Sequence, residues 1–156
     1  MGYRVFFSHN ASDGQWAKGI AGQAKLVGID VYLYEHDPRP GFSVAAKVQE
    51  EIKKSDALVV LLTPSGQASP YVQQEIGYAE AAQRLVIPLV WPGVGSRGLA
   101  MLQGREYIPF DPRNSAASLP TLLNSLQMQK ARKESGQAIL AFAALVFAAA
   151  VLFGKK

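Results

Sequence analysis

Few side chains in this sequence are equipped for chemistry, and the most pointed of them is Glu75, the last residue of SPYVQQE at positions 69–75. Ser69 is a good helix N-cap and Pro70 a good first helical residue, so the carboxylate falls within the first two turns of a helix. A carboxylate there is either the catalytic group of an enzyme or a solvated surface charge, and by base rate helix glutamates are surface charges. Other chemistries are closed or weak. The chain has no cysteine, which excludes disulfides and thiolate metal sites and suits a reducing cytosolic address. His9 and His36 are the only histidines and have no carboxylate pair at ligand spacing, a weak basis for a metal. GVGSRG at 93–98 matches the G-x-G-x-x-G dinucleotide fingerprint, but that fingerprint needs a full helix behind it and an acidic residue about 20 positions on. Only 99–103 is available for a helix before the next strand, so the stretch reads as a loop.

A frame is needed to position Glu75, and apolar runs alternating with amphipathic stretches supply one. Strands are expected at 3–8, 30–34, 57–63, 85–91 and 106–110. Between them, residues three or four apart define helix faces: Ala17, Ile20, Ala21 and Ala24; Ala45, Val48 and Ile52; then Val72, Ile76, Ala79 and Gln83. This rhythm predicts an α/β fold with a five-stranded parallel sheet flanked by helices on both faces. ALVVLLT has the unbroken apolar character of a central strand, whereas Pro88 costs its strand a ladder donor and pushes it toward an edge. A last helix over about 118–132 leads directly into the tail.

In such a sheet the ligand crevice lies at the carboxyl ends of the strands. The informative stretches are therefore SHNASD, EHDPRPGFS and TPSGQASPYVQQE, each just behind a strand. At about 100° per residue, Glu75 lies roughly 60° from the centre of its helix's apolar face, on the flank of Tyr71 and Tyr78. That places it at the rim of the core, near the crevice mouth.

The net charge of +4 suggests nucleic acid until it is divided along the chain. Residues 1–126 hold 11 Lys/Arg and 11 Asp/Glu, so the body is neutral and lacks an electrostatic footprint for nucleic acid. The surplus is in the tail, where Lys130, Arg132, Lys133, Lys155 and Lys156 face Glu134 alone. These charges flank AILAFAALVFAAAVLF, 16 residues from 138 to 153 without a polar side chain. As a helix this run spans about 24 Å against a hydrocarbon core of about 30 Å, so Gly136, Gln137, Gly154 and snorkelling lysines complete a short span. Its nine strongly apolar residues favour insertion by about 3 to 5 kcal/mol. Burial within an oligomer is the rival reading, because Ala144 and Ala148 at small-xxx-small spacing suit close packing between copies.

The expected organisation is a body at 1–126, a basic juxtamembrane helix or linker at 127–137, a transmembrane helix at 138–154 and a basic tail at 155–156. Three Lys/Arg before the span and two after it slightly favour a body on the cytoplasmic side. MGYRVFFSHN has no signal-peptide pattern, and Phe6 stands where myristoylation would need Ser or Thr. The simplest topology is a single-pass C-terminal anchor on a cytoplasmic domain.

The succession YRVFFSHNASD, DVYLYEHDPRPGFSV, ALVVLLTPSGQASPYVQQEIGYA and LVIPLVWPG resembles the Toll/interleukin-1 receptor (TIR) domain family over about residues 3–126. The resemblance implies a flavodoxin-like five-stranded sheet, in agreement with the strand count. The family's Phe/Ile-Ser motif at the end of the first strand falls on Phe7 and Ser8, followed by His9. Its loop after the second strand carries an Asp and a Pro-Gly, here Asp37, Pro40 and Gly41, and the glutamate of its enzymatic members falls on Glu75. The usual Ser-x-Trp before that glutamate reads Ser69, Pro70, Tyr71, so the aromatic is kept and the indole is not.

Enzymatic members of the family cleave the nicotinamide–ribose bond of NAD+, which enters as substrate; no cofactor, metal or nucleophilic serine is implied. Nicotinamide leaves as a neutral molecule and needs little acid help, so one ionised carboxylate can orient ribose hydroxyls and stabilise an oxocarbenium-like centre. Phe7, Ser8, His9, Arg39, Phe42 and Tyr71 are the candidates for holding ribose, phosphate and base around Glu75. For Arg39 and Phe42 the plainer reading is turn chemistry, since DPRPGFS is a turn and helix entry with Ser43 as N-cap.

Two expectations from different classes follow. One is a membrane-anchored NAD+ glycohydrolase that is activated by homo-oligomerisation, the anchor raising effective concentration against membrane lipid, with bacterial antiviral defence as its setting. The other is a non-catalytic scaffold that binds other TIR domains. A nucleoside deoxyribosyltransferase-like enzyme, which shares the sheet and a glycosidic glutamate, is a third; DPRPGFS and the apolar tail favour the TIR reading.

Overall fold

The computed structural model describes residues 2–34, 38–65, 69–95, 99 and 102–154. His36 and Asp37, residues 96–98 of the glycine-rich stretch, 100 and 101 of the short helix considered behind it, and the terminal Lys155 and Lys156 lie outside the described residues.

Five strands form one parallel sheet: β1 (Tyr3–Ser8), β2 (Ile29–Tyr32), β3 (Ala57–Leu62), β4 (Leu85–Val90) and β5 (Ile108–Pro109). The spatial order is β2-β1-β3-β4-β5, with β3 at the centre. Every residue of β3 is buried, as expected of ALVVLL in a sheet covered on both sides. Among the described residues, helices α1 (Gly14–Leu26), α2 (Val44–Lys54), α3 (Pro70–Ala81) and α4 (Ser115–Phe153) cover it. Alternation along the strands divides the core into two layers. Val5, Phe7, Val59 and Leu61 pack with Ala17, Ile20, Leu122 and Leu126 of α1 and α4. Phe6, Leu58, Val60 and Leu62 pack with Val48 and Ile52 of α2 and Val72, Ile76 and Ala79 of α3.

Pro88 does not put its strand at an edge, because β4 lies between β3 and β5. Trp91 N–H donates to Leu62 of β3 and Val90 C=O accepts from Phe110 beside β5, so successive residues of β4 address opposite neighbours. By this alternation the donor that Pro88 lacks would point toward β5. β5 pairs only with Leu89 and Val90, so no ladder bond is lost.

Gln83 does not extend the α3 face either. It has φ +56° and closes the helix: Gln83 N–H donates to Glu80 O at 3.0 Å and Arg84 N–H to Ala79 O at 2.9 Å, a Schellman pair. Left-handed backbone costs an exposed non-glycine residue about 1–2 kcal/mol. Gln83→Gly is therefore expected to stabilise the fold by about 0.5–1 kcal/mol, after glycine's extra unfolded-state entropy is subtracted, read as a higher denaturant midpoint.

The last helix is longer than the expected 118–132 stretch. α4 runs unbroken for 39 residues, about 58 Å, from the sheet into the apolar tail. Leu122 and Leu126 bury its first half against the core, whereas Leu140, Phe142, Phe147 and Leu152 in its second half are exposed. That second half is long and apolar enough to cross a membrane.

Candidate active site

Ser8 ends β1, and by alternation Arg4, Phe6 and Ser8 face the layer of α2 and α3. Behind β3, Ser69 caps α3 through its Oγ, which accepts from Val72 N–H at 3.4 Å, and Pro70 supplies the first helical residue. Val72, Ile76 and Ala79, all wholly buried, press the helix onto the sheet and leave Glu75 half-buried on its flank. The two constructions meet. Ser8 Oγ donates to Glu75 Oε2, joining side chains 67 positions apart at the carboxyl end of the sheet.

A second hydroxyl–carboxylate contact lies behind the same strands. Thr63, the residue after β3, donates through Oγ1 to Asp13 Oδ2 at 2.7 Å and lies 3.2 Å from Ser65 Oγ. Asp13 is buried where the first helical turn behind β1 leads into α1. Neither Asp13 nor Thr63 stands among the candidates read from the sequence, although both fall in the quoted stretches behind strands and that position was their signal.

The remaining candidates are distributed unevenly. Phe7 is buried on the opposite face, toward α1 and α4, so it does not share the Ser8–Glu75 side of the sheet. His9 is half-buried, with Nδ1 donating to Asn10 O at 2.8 Å and its ring 6.3 Å from that of Phe7. Tyr71 stands one helical turn before Glu75 on the same flank and is 71% exposed. Phe42, 65% exposed, lines a cavity of about 280 Å³ with Tyr34, Arg39 and Lys47, and Lys47 Nζ sits 4.4 Å from the centre of the Tyr34 ring.

Arg39 is drawn toward α2. Its guanidinium binds Glu51, whose side chain is only 3% exposed, and lies 3.6 Å from Glu50. The other oxygen of Glu51 takes Arg4 of β1, so one buried carboxylate ties the loop before α2 to the first strand. Glu51 was legible in principle, because it sits three residues after Val48 on the buried face of α2 and a carboxylate there needs cationic partners.

A cleft of about 440 Å³ opens elsewhere at the same end of the sheet. Trp91, Gly93, Tyr107, Phe110, Asp111 and Asn114 are among its walls, and neither Ser8 nor Glu75 lines it. Trp91 and Phe110 close a cluster with Trp16, whose ring centroid is 5.2 Å from that of Trp91. We place the candidate site at Glu75 rather than in this cleft, because Glu75 is held by the buried hydroxyl of Ser8, whereas Asp111, a carboxylate on the cleft's wall, accepts from Arg113 N–H in its own turn.

A five-stranded parallel sheet in the order β2-β1-β3-β4-β5, covered by helices on both faces, defines the fold class of the body. The family model described as TIR domain matches residues 5–123, and the chain belongs to that family. Among solved structures it is similar to the TIR domain of a Toll-related receptor from Hydra magnipapillata, with 15% identity, 79% of this chain and 97% of that one covered, and a TM-score of 0.64. It is also similar to the TIR domains of an activated resistosome that directly recognises a pathogen effector, with 14% identity, 80% and 99% covered, and a TM-score of 0.62. A CMP N-glycosidase of Clostridium botulinum matches with 20% identity, 76% and 97% covered, and a TM-score of 0.54. Comparison with curated proteins gives no match.

Proposed function

We propose that the protein is a membrane-anchored NAD+ glycohydrolase that acts on self-association, with Glu75 as its catalytic carboxylate. The observation that carries this reading is the Ser8–Glu75 contact at the carboxyl end of the sheet. A glutamate on a helix flank that served only solubility would have no need of a buried serine from β1, and Ser8 is 1% exposed. Support also comes from the glycosidase with this fold, an enzyme named for cleaving a base–ribose bond.

In the reaction the nicotinamide–ribose C–N bond breaks, its electron pair leaves with nicotinamide, and positive charge remains on the ribose ring. Glu75, as a carboxylate, stabilises that charge and orients the ribose hydroxyls; Ser8 fixes the carboxylate's direction. Water then adds to the ribose carbon and releases a proton, giving ADP-ribose and nicotinamide. Tyr71 offers a wall for the base, while Arg39 acts through Glu51 on the loop that carries Phe42.

Substrate choice tests the reading. The full chain in lipid vesicles, supplied with equimolar NAD+ and CMP, should release nicotinamide and leave CMP intact; cytosine release without nicotinamide would move the protein to the nucleotide N-glycosidases. Ser8→Ala should lower kcat about 10- to 100-fold with little change in KM, because it loosens the carboxylate without removing a substrate contact. Steady-state kinetics separates the two parameters.

A further inference from the structure

The base of the body, opposite the Glu75 crevice, carries the observations that lead furthest. In a parallel sheet with crossover helices the helices return toward the strand starts, so the ends of α1, α2 and α3 gather there. Contacts across that end agree. Arg84 Nη2 binds Lys53 O at 2.8 Å, Lys130 Nζ binds Gly28 O at 3.2 Å, and Lys133 Nζ binds Gly2 O at 2.9 Å and Asp56 at 3.0 Å. Lys133 therefore lies at the strand starts, and only four residues, a rise of about 7.5 Å of helix, separate it from Ala138 where the apolar run begins. That rise is comparable to the headgroup layer of one leaflet.

Charge at this end is unevenly matched. Its carboxylates Asp30, Asp56, Glu80 and Glu134 are met by Arg4 at 4.0 Å, Lys133 at 3.0 Å, Arg105 at 2.7 Å and Lys130 at 3.9 Å. Lys25, Lys53 and Arg132 remain exposed beyond those pairs. Apolar side chains stand exposed among them, Leu26 at 80% and Leu85 at 41%. Cations interleaved with exposed leucines on a surface held within one headgroup thickness of a membrane helix match an anionic lipid interface.

We infer that the base of the TIR body docks on anionic lipid headgroups, with Lys25, Lys53 and Arg132 facing the phosphates and Leu26 seated among the glycerol groups. This rests on the anchored reading of α4 and adds an orientation: the Glu75 crevice faces away from the bilayer, open to soluble substrate and to neighbouring copies held at the same height.

The chain's lack of cysteine allows single labels. Fluorophores on Gln15→Cys and Gln23→Cys, both exposed on α1 and about 12 Å apart along its axis, report the crevice and base ends of the same helix. Full-length protein is placed in vesicles of phosphatidylcholine, with or without phosphatidylglycerol, containing a headgroup-attached quencher. Docking gives stronger quenching at position 23 than at 15 in the anionic vesicles, and the difference collapses in high salt. Lys25→Gln, Lys53→Gln and Arg132→Gln together should lower the docked-to-undocked ratio about 10²-fold, each cation contributing about fivefold. Alkaline carbonate extraction of the same samples separates the two claims. Protein released by carbonate overturns the anchor and the docking together. Protein that resists carbonate but is quenched equally at both labels, or equally with and without anionic lipid, overturns docking and leaves the anchor standing.

Discussion

Glu75→Gln should reduce NAD+ cleavage about 10²–10³-fold while the folded protein and its self-association persist. The substitution keeps shape and an acceptor oxygen for Ser8 Oγ, so the helix flank and the contact to β1 survive. The charge is lost. Preorganised electrostatic groups aimed at developing charge are worth about 3–4 kcal/mol in the transition state, which sets the expected factor. Because the carboxylate meets positive charge only as the C–N bond breaks, kcat should carry most of the loss and KM little. Thermal midpoints within about 1 °C of the parent's, together with steady-state rates, check the prediction. A large fall in midpoint would instead make Glu75 a structural residue.

Glu51→Ala should be the most damaging single change to stability at an ion pair, at about 2–3 kcal/mol, or roughly 10 °C in thermal midpoint. Both oxygens of Glu51 are committed, to Arg4 and to Arg39, and its side chain is 3% exposed. Removing a buried partner typically costs about 3–5 kcal/mol; here each arginine keeps about a quarter of its surface in water, which absorbs part of the loss. Glu50→Gln is the matched control: its partners Arg39 and Lys54 lie 3.6 and 2.7 Å away, but Glu50 is 49% exposed, so its change should stay within about 0.5–1 kcal/mol. The loss should also reach the loop. Phe42 N–H, which donates to Arg39 O at 3.1 Å, should exchange faster in Glu51→Ala than in the parent by hydrogen–deuterium exchange.

The sheet was legible because burial imposes a pattern on consecutive residues. ALVVLL could be assigned to the centre, and β1 at Tyr3–Ser8 could be bounded to the residue, because each is a short apolar run between turn residues. Pro88 misled because propensity cannot say which side of a strand is paired; the answer depends on β5 being two residues long. Gln83 continued the α3 periodicity on paper, yet the chain turns left-handed there, and nothing in a glutamine announces positive φ. The site divided along similar lines. Ser69, Pro70 and the apolar face of α3 fixed where Glu75 would point, and alternation along β1 brought Ser8 to the same layer. The same alternation carries Phe7 to the other layer. Local pattern can mark individual residues, Asp13 and Thr63 by their place behind strands and Glu51 by the buried face of α2, but their pairing, Asp13 with Thr63 and Glu51 with Arg4, emerges only when the strands are paired.

Exposure adds to the functional picture. Phe42 and Tyr71 present large apolar surfaces to solvent, which suits contact with another molecule. On the proposed reading an anchor would raise the rate, because confinement to a surface raises local concentration without any new contact.

The measurement that bears most directly on the central claim is nicotinamide release from NAD+ by the full-length protein in vesicles at increasing surface density. The account predicts release whose rate per molecule climbs with density. No release at any density, with self-association intact, would contradict it and leave a TIR scaffold whose chemistry is binding alone.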